Sequence, residues 1–269
     1  MIPKIIHYCW FGGNPLSDLA KKCISSWKKY CPDYEIIEWN ESNFNLDCCA
    51  YVKEAYEKKM WAFVTDYVRL FVMVKYGGIY MDTDVEVIKP LDEFLTLHAF
   101  SGFESNNMVP TGIMACEQNF KFFNNLLGDY RNRKFINDDG ICDLTTNVTV
   151  ITNACVKQSL VMNNLLQTVN GFTLYPFDFF CAKDIMSGTI TITENTYTIH
   201  HFAGSWHTKH EKKLIKINNW CIKHFGDYWG YRFGRVLNFP YRVIIKIEKL
   251  GLKNSWMFII KKLLHRMEV

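Results

Sequence analysis

The sequence predicts an α/β fold, an open mixed sheet with a Rossmann-like half followed by a basic helical extension, on three observations. Short, continuous apolar runs of strand type alternate with helical periods over the first two hundred residues. The 269 residues are 49% hydrophobic and 16% aromatic, enough to bury a full core as one large domain or one domain plus an appendage. The charge is uneven. From Thr208 onward fourteen Lys and Arg stand against four acids, while residues 1–207 carry seventeen against twenty-three, beneath a net charge of +4. The expected division is therefore 1–207 and 208–269.

PKIIHYCWF (3–11) reads as a buried strand. Asn14 and Pro15 then supply an N-cap and first turn for a helix carrying Leu16, Leu19, Ala20, Cys23, Ile24 and Trp27, which Pro32 ends. YEIIEW (34–39) is a second strand, completing a βαβ unit whose strands should be parallel with a right-handed crossover. A helix of about 59–75 stops at Gly77 and Gly78 and places Asp66 and Arg69 at i and i+3 on one face. The strand IYMD follows at once, so Asp82 and Asp84 lie at a strand's carboxyl end, where open α/β sheets bind ligands. AFSGFE (99–104) and TGIMAC (111–116) read as further strands, FKFFNNLLGDYRN (120–132) as an amphipathic helix, and the polar DDGICDLTTNV (138–148) as a surface loop.

In the tail, Pro240 and Gly251 should divide at least three helical pieces. Of its aromatics Trp220, Phe225, Tyr228, Trp229, Tyr231, Phe233, Phe239, Trp256 and Phe258, half are expected to pack on the α/β domain. The stretch Trp256 to Arg266 mixes apolar and basic residues as an interfacial helix does, which makes an anionic membrane surface a further partner. The ten cysteines form no C-x-x-C pair and read as buried free thiols of a reducing compartment. No apolar stretch of signal length follows Lys4, and the uncharged run 158–177 is too polar to span a membrane. The expectation is a cytoplasmic protein, peripheral on the inner face of the cell membrane.

Asp82 and Asp84 repel one another unless solvated or shared by a cation. As plain turn residues they would cap nearby amides, and Arg69 is an alternative partner to a metal. Asp66 and Arg69 read equally as a helix-surface ion pair. The chain has no G-x-x-x-x-G-K-[ST] loop and no G-x-G-x-x-G turn after a strand, so no backbone phosphate cradle is evident. His200 and His201 are adjacent, and in a strand only one faces a given side.

The segment MWAFVTDYVRLFVMVKYGGIYMDTDVEVIKPLD resembles the core of glycosyltransferase family 32, whose members are sugar transferases of the GT-A fold that use nucleotide-sugar donors. PKIIHYCWFGG resembles that family's first strand, and TYTIHHFAGSW (196–206) its terminal H-x-x-x-G-S-W signature. The resemblance implies that Asp84 and His200 ligate the metal and that Asp82 contacts the ribose, or the metal through water. It implies further that Asp66 and Arg69 hold the donor sugar, that Trp10 stacks on the base, and that Ser205 and Trp206 contact the diphosphate. An imidazole ligand favours Mn²⁺ over Mg²⁺. The function implied is retaining transfer of a hexose or N-acetylhexosamine from a UDP-linked sugar to a glycan or lipid-linked acceptor in bacterial capsular polysaccharide synthesis. Three alternatives remain: a catalytically silent sugar-nucleotide binder on the same fold, a haloacid-dehalogenase-type phosphatase, and a nucleic-acid binder using the basic tail. The phosphatase pattern wants Thr or Val where Glu86 stands, and no nucleic-acid partner is expected.

Overall fold

The computed structural model describes residues 1–110, 112–204 and 208–247. In chain order the elements are β1 (Ile5–Cys9), α1 (Asp18–Tyr30), β2 (Glu35–Trp39), α2 (Ala50–Glu57), α3 (Trp61–Tyr76), β3 (Gly78–Met81) and β4 (Val85–Val87). There follow β5 (Ala99–Gly102), β6 (Ile113–Cys116), α4 (Lys121–Asp129), α5 (Asn147–Lys157), β7 (Gln167–Val169), β8 (Phe172–Tyr175), α6 (Phe177–Phe180), β9 (Thr198–His200) and α7 (Lys209–Leu237).

Seven strands form one sheet in the order β2-β1-β3-β6-β5-β8-β7. β1 runs parallel to β2 and to β3, so the predicted βαβ unit is present, whereas β6 is antiparallel to both β3 and β5. The α/β class and the open mixed sheet agree with expectation. Side chains alternate across each strand. Ile79 and Met81 enter one hydrophobic cluster with Ile6, Trp27, Phe100 and Phe180, while Tyr80 enters a second with Val64, Val68, Phe123 and Phe172. The sheet thus carries a core on each face. A two-stranded ribbon pairs β4 with β9 antiparallel.

α1 begins later than Asn14 and Pro15 suggest. Ser17 is extended (ψ 159°) and its side chain accepts from the Ala20 N–H, so Ser17 is the N-cap and Pro15 lies in the preceding loop. α3 ends as predicted at Gly77 and Gly78, both at positive φ. At Gly78, φ is +97° and a Cβ would lie 2.6 Å from the Ile5 carbonyl, because β1 passes close beside the start of β3. Gly78→Ala should therefore cost more than about 2 kcal/mol, read as a lowered midpoint in urea.

The chain divides into two compact units, Met1–Lys183 with Ile190–Ala203, and Asp184–Thr189 with Gly204–Val269. In the second unit the helical tail is interrupted at Gly226 (φ +70°) and at Asn238, with helical residues 239–247 beyond. Pro240 sits in the first turn of that last segment rather than at a break, since a missing N–H costs nothing there. Gly251 and the stretch Trp256 to Arg266 lie outside the described residues. Of the tail aromatics expected to pack by halves, the seven among the described residues, Trp220, Phe225, Tyr228, Trp229, Tyr231, Phe233 and Phe239, are all exposed, and Trp256 and Phe258 lie outside the described residues. All ten cysteines are free, but Cys48 is exposed and Cys49 and Cys142 half-buried, against the expectation that all are buried. Cys48 and Cys49 end the connection from β2 into α2, Cys49 as the helix N-cap.

Candidate active site

The site forms where β3 runs out. The Asp82 N–H still donates to the Gly112 carbonyl (2.8 Å), and the Val85 N–H donates back to the Asp82 carbonyl (3.0 Å), closing a turn that delivers the chain into β4. β4 and β9 pair with Val85 opposite His200, which brings a histidine from more than a hundred residues away to the D-x-D. Asp82, Asp84 and His200 each offer one ligand atom, all within 4.8 Å of one another. Two carboxylates and one imidazole at that spacing suit a single divalent ion with mixed oxygen and nitrogen donors.

Alternation settles which histidine faces the site. His200 is buried, with Nε2 3.5 Å from Asp84 Oδ1, whereas His201 turns away and bonds Glu86 (2.8 Å), itself paired with Lys22 at 2.7 Å. Asp84 Oδ2 also accepts from the Ala203 N–H (2.7 Å). Burial pushes the Asp84 carboxyl up, but His200 and the backbone N–H bonds outweigh it and hold Asp84 down at about 2. Burial opposes charge on His200 too, and Asp84 overcomes it, raising the imidazole well above its ordinary range. Asp84 and His200 thus pair opposite charges beside Asp82, the third of the candidate ligands.

Asp66 and Arg69 are no surface pair. Asp66 is 7% exposed, and the Arg69 guanidinium bridges two carboxylates, Asp66 Oδ1 at 3.5 Å and Asp82 Oδ1 at 3.2 Å. Arg69 lies 4.8 Å from the Tyr80 ring centroid, and Tyr80 donates its hydroxyl to Asp82 Oδ1 (3.0 Å). The two D-x-D carboxylates are therefore neutralised separately, Asp82 by Arg69 and Asp84 by His200. Asp66 Oδ2 also accepts from the Asn147 N–H (2.9 Å) at the start of α5, and the Asn147 amide donates to the Asp66 carbonyl (3.0 Å). Burial still dominates and pushes Asp66 up to about 6.

Trp10 follows β1, and the parallel register of β1 on β3 puts it at the same sheet edge as the D-x-D. Its indole donates to the Asn14 carbonyl (2.6 Å), and the residue is half-buried. Ser205 and Trp206 lie outside the described residues. Sequence reasoning missed three residues. Asn147 ends the stretch read as a surface loop, yet it is buried and pins Asp66. Glu104, read only as the end of a strand, has Oε1 3.6 Å from His200 Nδ1, and burial raises its carboxyl. It stands where an outer carboxylate orients a ligating imidazole. Gly112 is the third: a Cβ there would lie 2.8 Å from Val85 Cγ2 and 3.1 Å from the His200 ring. Gly112→Ala should push His200 off its position and weaken Mn²⁺ binding by about tenfold or more, measured by electron paramagnetic resonance titration. Unchanged affinity would remove His200 from the ligand set.

Residues 17–101 match the family described as glycosyltransferase sugar-binding region containing DXD motif. Two curated relatives come from Schizosaccharomyces pombe. Inositol phosphoceramide mannosyltransferase 3 is 29% identical over 45% of this chain and 35% of its own length. Inositol phosphoceramide mannosyltransferase 1 is 29% identical over 37% of this chain and 33% of its own. The chain thus spans about a third of the length of these relatives. Among solved structures, PaToxG Glycosyltransferase is 21% identical over 47% of this chain and 59% of that chain, with a TM-score of 0.40. The matched stretch holds Asp66, Arg69, Asp82 and Asp84, so residues 17–101 are similar to the sugar-binding region of the DXD-motif glycosyltransferases, in line with the resemblance to family 32.

Proposed function

We propose that this chain is a metal-dependent retaining glycosyltransferase that moves a hexose or N-acetylhexosamine from a UDP-linked sugar to a glycan or lipid-linked acceptor. The observation that carries this reading is the convergence of Asp82, Asp84 and His200 within 4.8 Å, beside the buried Asp66–Arg69 pair. A hexose donor is also in keeping with relatives named as mannosyltransferases. Mn²⁺ is the preferred ion because one of the three donors is nitrogen.

A bound metal would act as a Lewis acid on the leaving diphosphate. The chain does the rest. Asp84 and His200 hold the ion, and Glu104 fixes the orientation of His200. Asp66 accepts from sugar hydroxyls, held in place by the Asn147 N–H. Arg69 reaches sugar and phosphate oxygens with its guanidinium, whose buried Nε has no hydrogen-bond partner among the described residues. Trp10 offers an indole face to the base. The family resemblance implies retention, in which the leaving diphosphate takes the acceptor's proton, so the chain needs no dedicated base. Bacterial capsular polysaccharide assembly at the cytoplasmic face of the cell membrane is the setting we favour.

The test is a panel of nucleotide sugars with and without Mn²⁺, scored for donor hydrolysis and for thermal stabilisation, which needs no acceptor. Mn²⁺-dependent hydrolysis of one donor supports the reading. Stabilisation without turnover by any donor would assign the chain to the silent binders instead.

A further inference from the structure

The helical tail is built inside out. After the kink at Gly226, the arm 227–237 of α7 turns back on residues 209–225 and buries Gly230, Gly234 and, next in the same row, Asn238. A Cβ at Gly230 would lie 2.5 Å from Ile222 Cα, and one at Gly234 would lie 2.5 Å from Asn218 Oδ1. Asn238 Nδ2 donates to the Leu214 carbonyl (3.1 Å) and to Asn218 Oδ1 (2.7 Å). The two arms meet backbone to backbone through small residues.

The large side chains point the other way. Tyr228, Trp229, Tyr231, Phe233, Val236 and Leu237 are 44–72% exposed. The rings join into a continuous surface, with Phe225 5.1 Å from Phe233, Phe233 6.0 Å from Trp229, and Trp229 5.2 Å from Tyr228. In water, burial of apolar area drives such side chains inward, and large exposed apolar patches mark a binding surface. Small residues at the helix contact with large apolar ones outside are what an apolar surrounding favours.

Charge identifies the surrounding. Residues 208–247 hold nine Lys and Arg against two acids, Glu211 and Asp227. Lys216, Lys223, Arg232, Arg235 and Arg242 are exposed, and the Arg232 guanidinium lies 5.7 Å from the Tyr228 ring centroid and 5.8 Å from that of Trp229. Trp and Tyr flanked by basic residues are the composition of the bilayer's headgroup level. No described helix is long and apolar enough to cross a membrane. We propose that the aromatic face of this hairpin docks on the surface of an anionic bilayer, its rings at the headgroup level and its basic side chains on the lipid phosphates. This goes beyond the proposed reaction and does not depend on it, because its test uses no donor sugar.

The full chain is sedimented with phosphatidylcholine vesicles and with vesicles that also contain phosphatidylglycerol, at low and at high salt. Binding should favour the anionic vesicles and weaken with salt. The double variant Trp229→Ser, Phe233→Ser should bind at least about tenfold less, and Arg232→Gln with Arg235→Gln about fivefold less for each charge removed. All four positions are exposed, so circular dichroism should be unchanged. Absence of binding to anionic vesicles at low salt overturns the proposal. So does equal binding by the aromatic variant, or a dimer that this variant dissociates in a protein that ignores vesicles.

Discussion

Asp84→Asn should lower metal-dependent donor turnover by at least about a thousandfold and leave the melting temperature within a few degrees of the parent. Asn keeps the size of Asp84 and the acceptor for the Ala203 N–H, but it removes the anion that holds the cation and partners His200. Mn²⁺ affinity, measured directly, should collapse together with turnover. His200 must be neutral to ligate, so in the parent protein Mn²⁺ competes with the proton that Asp84 stabilises there, and affinity should fall as the pH falls. Wild-type Mn²⁺ affinity in Asp84→Asn would show that the three groups are a structural triad and nothing more.

Asp66→Asn separates a working carboxylate from a structural one. Asp66 is held near 6 against an ordinary 3.8, with burial as the leading cause. The folded state therefore keeps this proton more tightly than the unfolded chain does. Its contribution to stability is full below about pH 3.8 and is lost as the pH rises through about 6, on the order of 3 kcal/mol. At neutral pH the ionised carboxylate is a burden on the fold. Asn can accept from the Asn147 N–H at no such cost, while Arg69 keeps Asp82 as its partner. The variant should match or exceed the parent's melting temperature at pH 7.5 and lose the stability slope between about pH 4 and 6. Turnover should nonetheless fall by about a hundredfold or more, because the donor's hydroxyls lose a charged acceptor. A variant that melts well below the parent and turns over normally would make Asp66 a packing residue.

Five of the sheet's seven strands were legible, most of them as buried apolar runs: β1, β2, β5 and β6 fall inside the runs that predict them, and β3 starts one residue before its run. β7 and β8 are short and lie in a polar, uncharged stretch that gave no strand signal. α5 was not legible either: Val148, Thr149, Val150, Ile151 and Thr152 are β-branched and give no helical signal, and only the Thr146 cap and its tertiary packing make them helical. Of the site, Asp66, Arg69, Asp82, Asp84 and His200 were legible because each sits in a motif; strand alternation allows only one of His200 and His201 to face the site, and the structure shows it to be His200. Glu104, Gly112 and Asn147 were not. Each is a single residue whose contact is made across the fold, and such a contact has no local pattern to betray it.

The ribbon of β4 and β9 has a consequence for how such a protein can change over time. Its register ties the D-x-D to His200 across more than a hundred residues of sequence, of which Glu104, Gly112 and Asn147 serve the site directly. The surface loops among the others can grow or shrink, and with them, under the proposed function, the preference for what receives the sugar, while the three groups stay together. A one-residue insertion within the ribbon itself would have the opposite effect, since it presents His201 in place of His200 and moves Glu86 out of its pairing with Lys22.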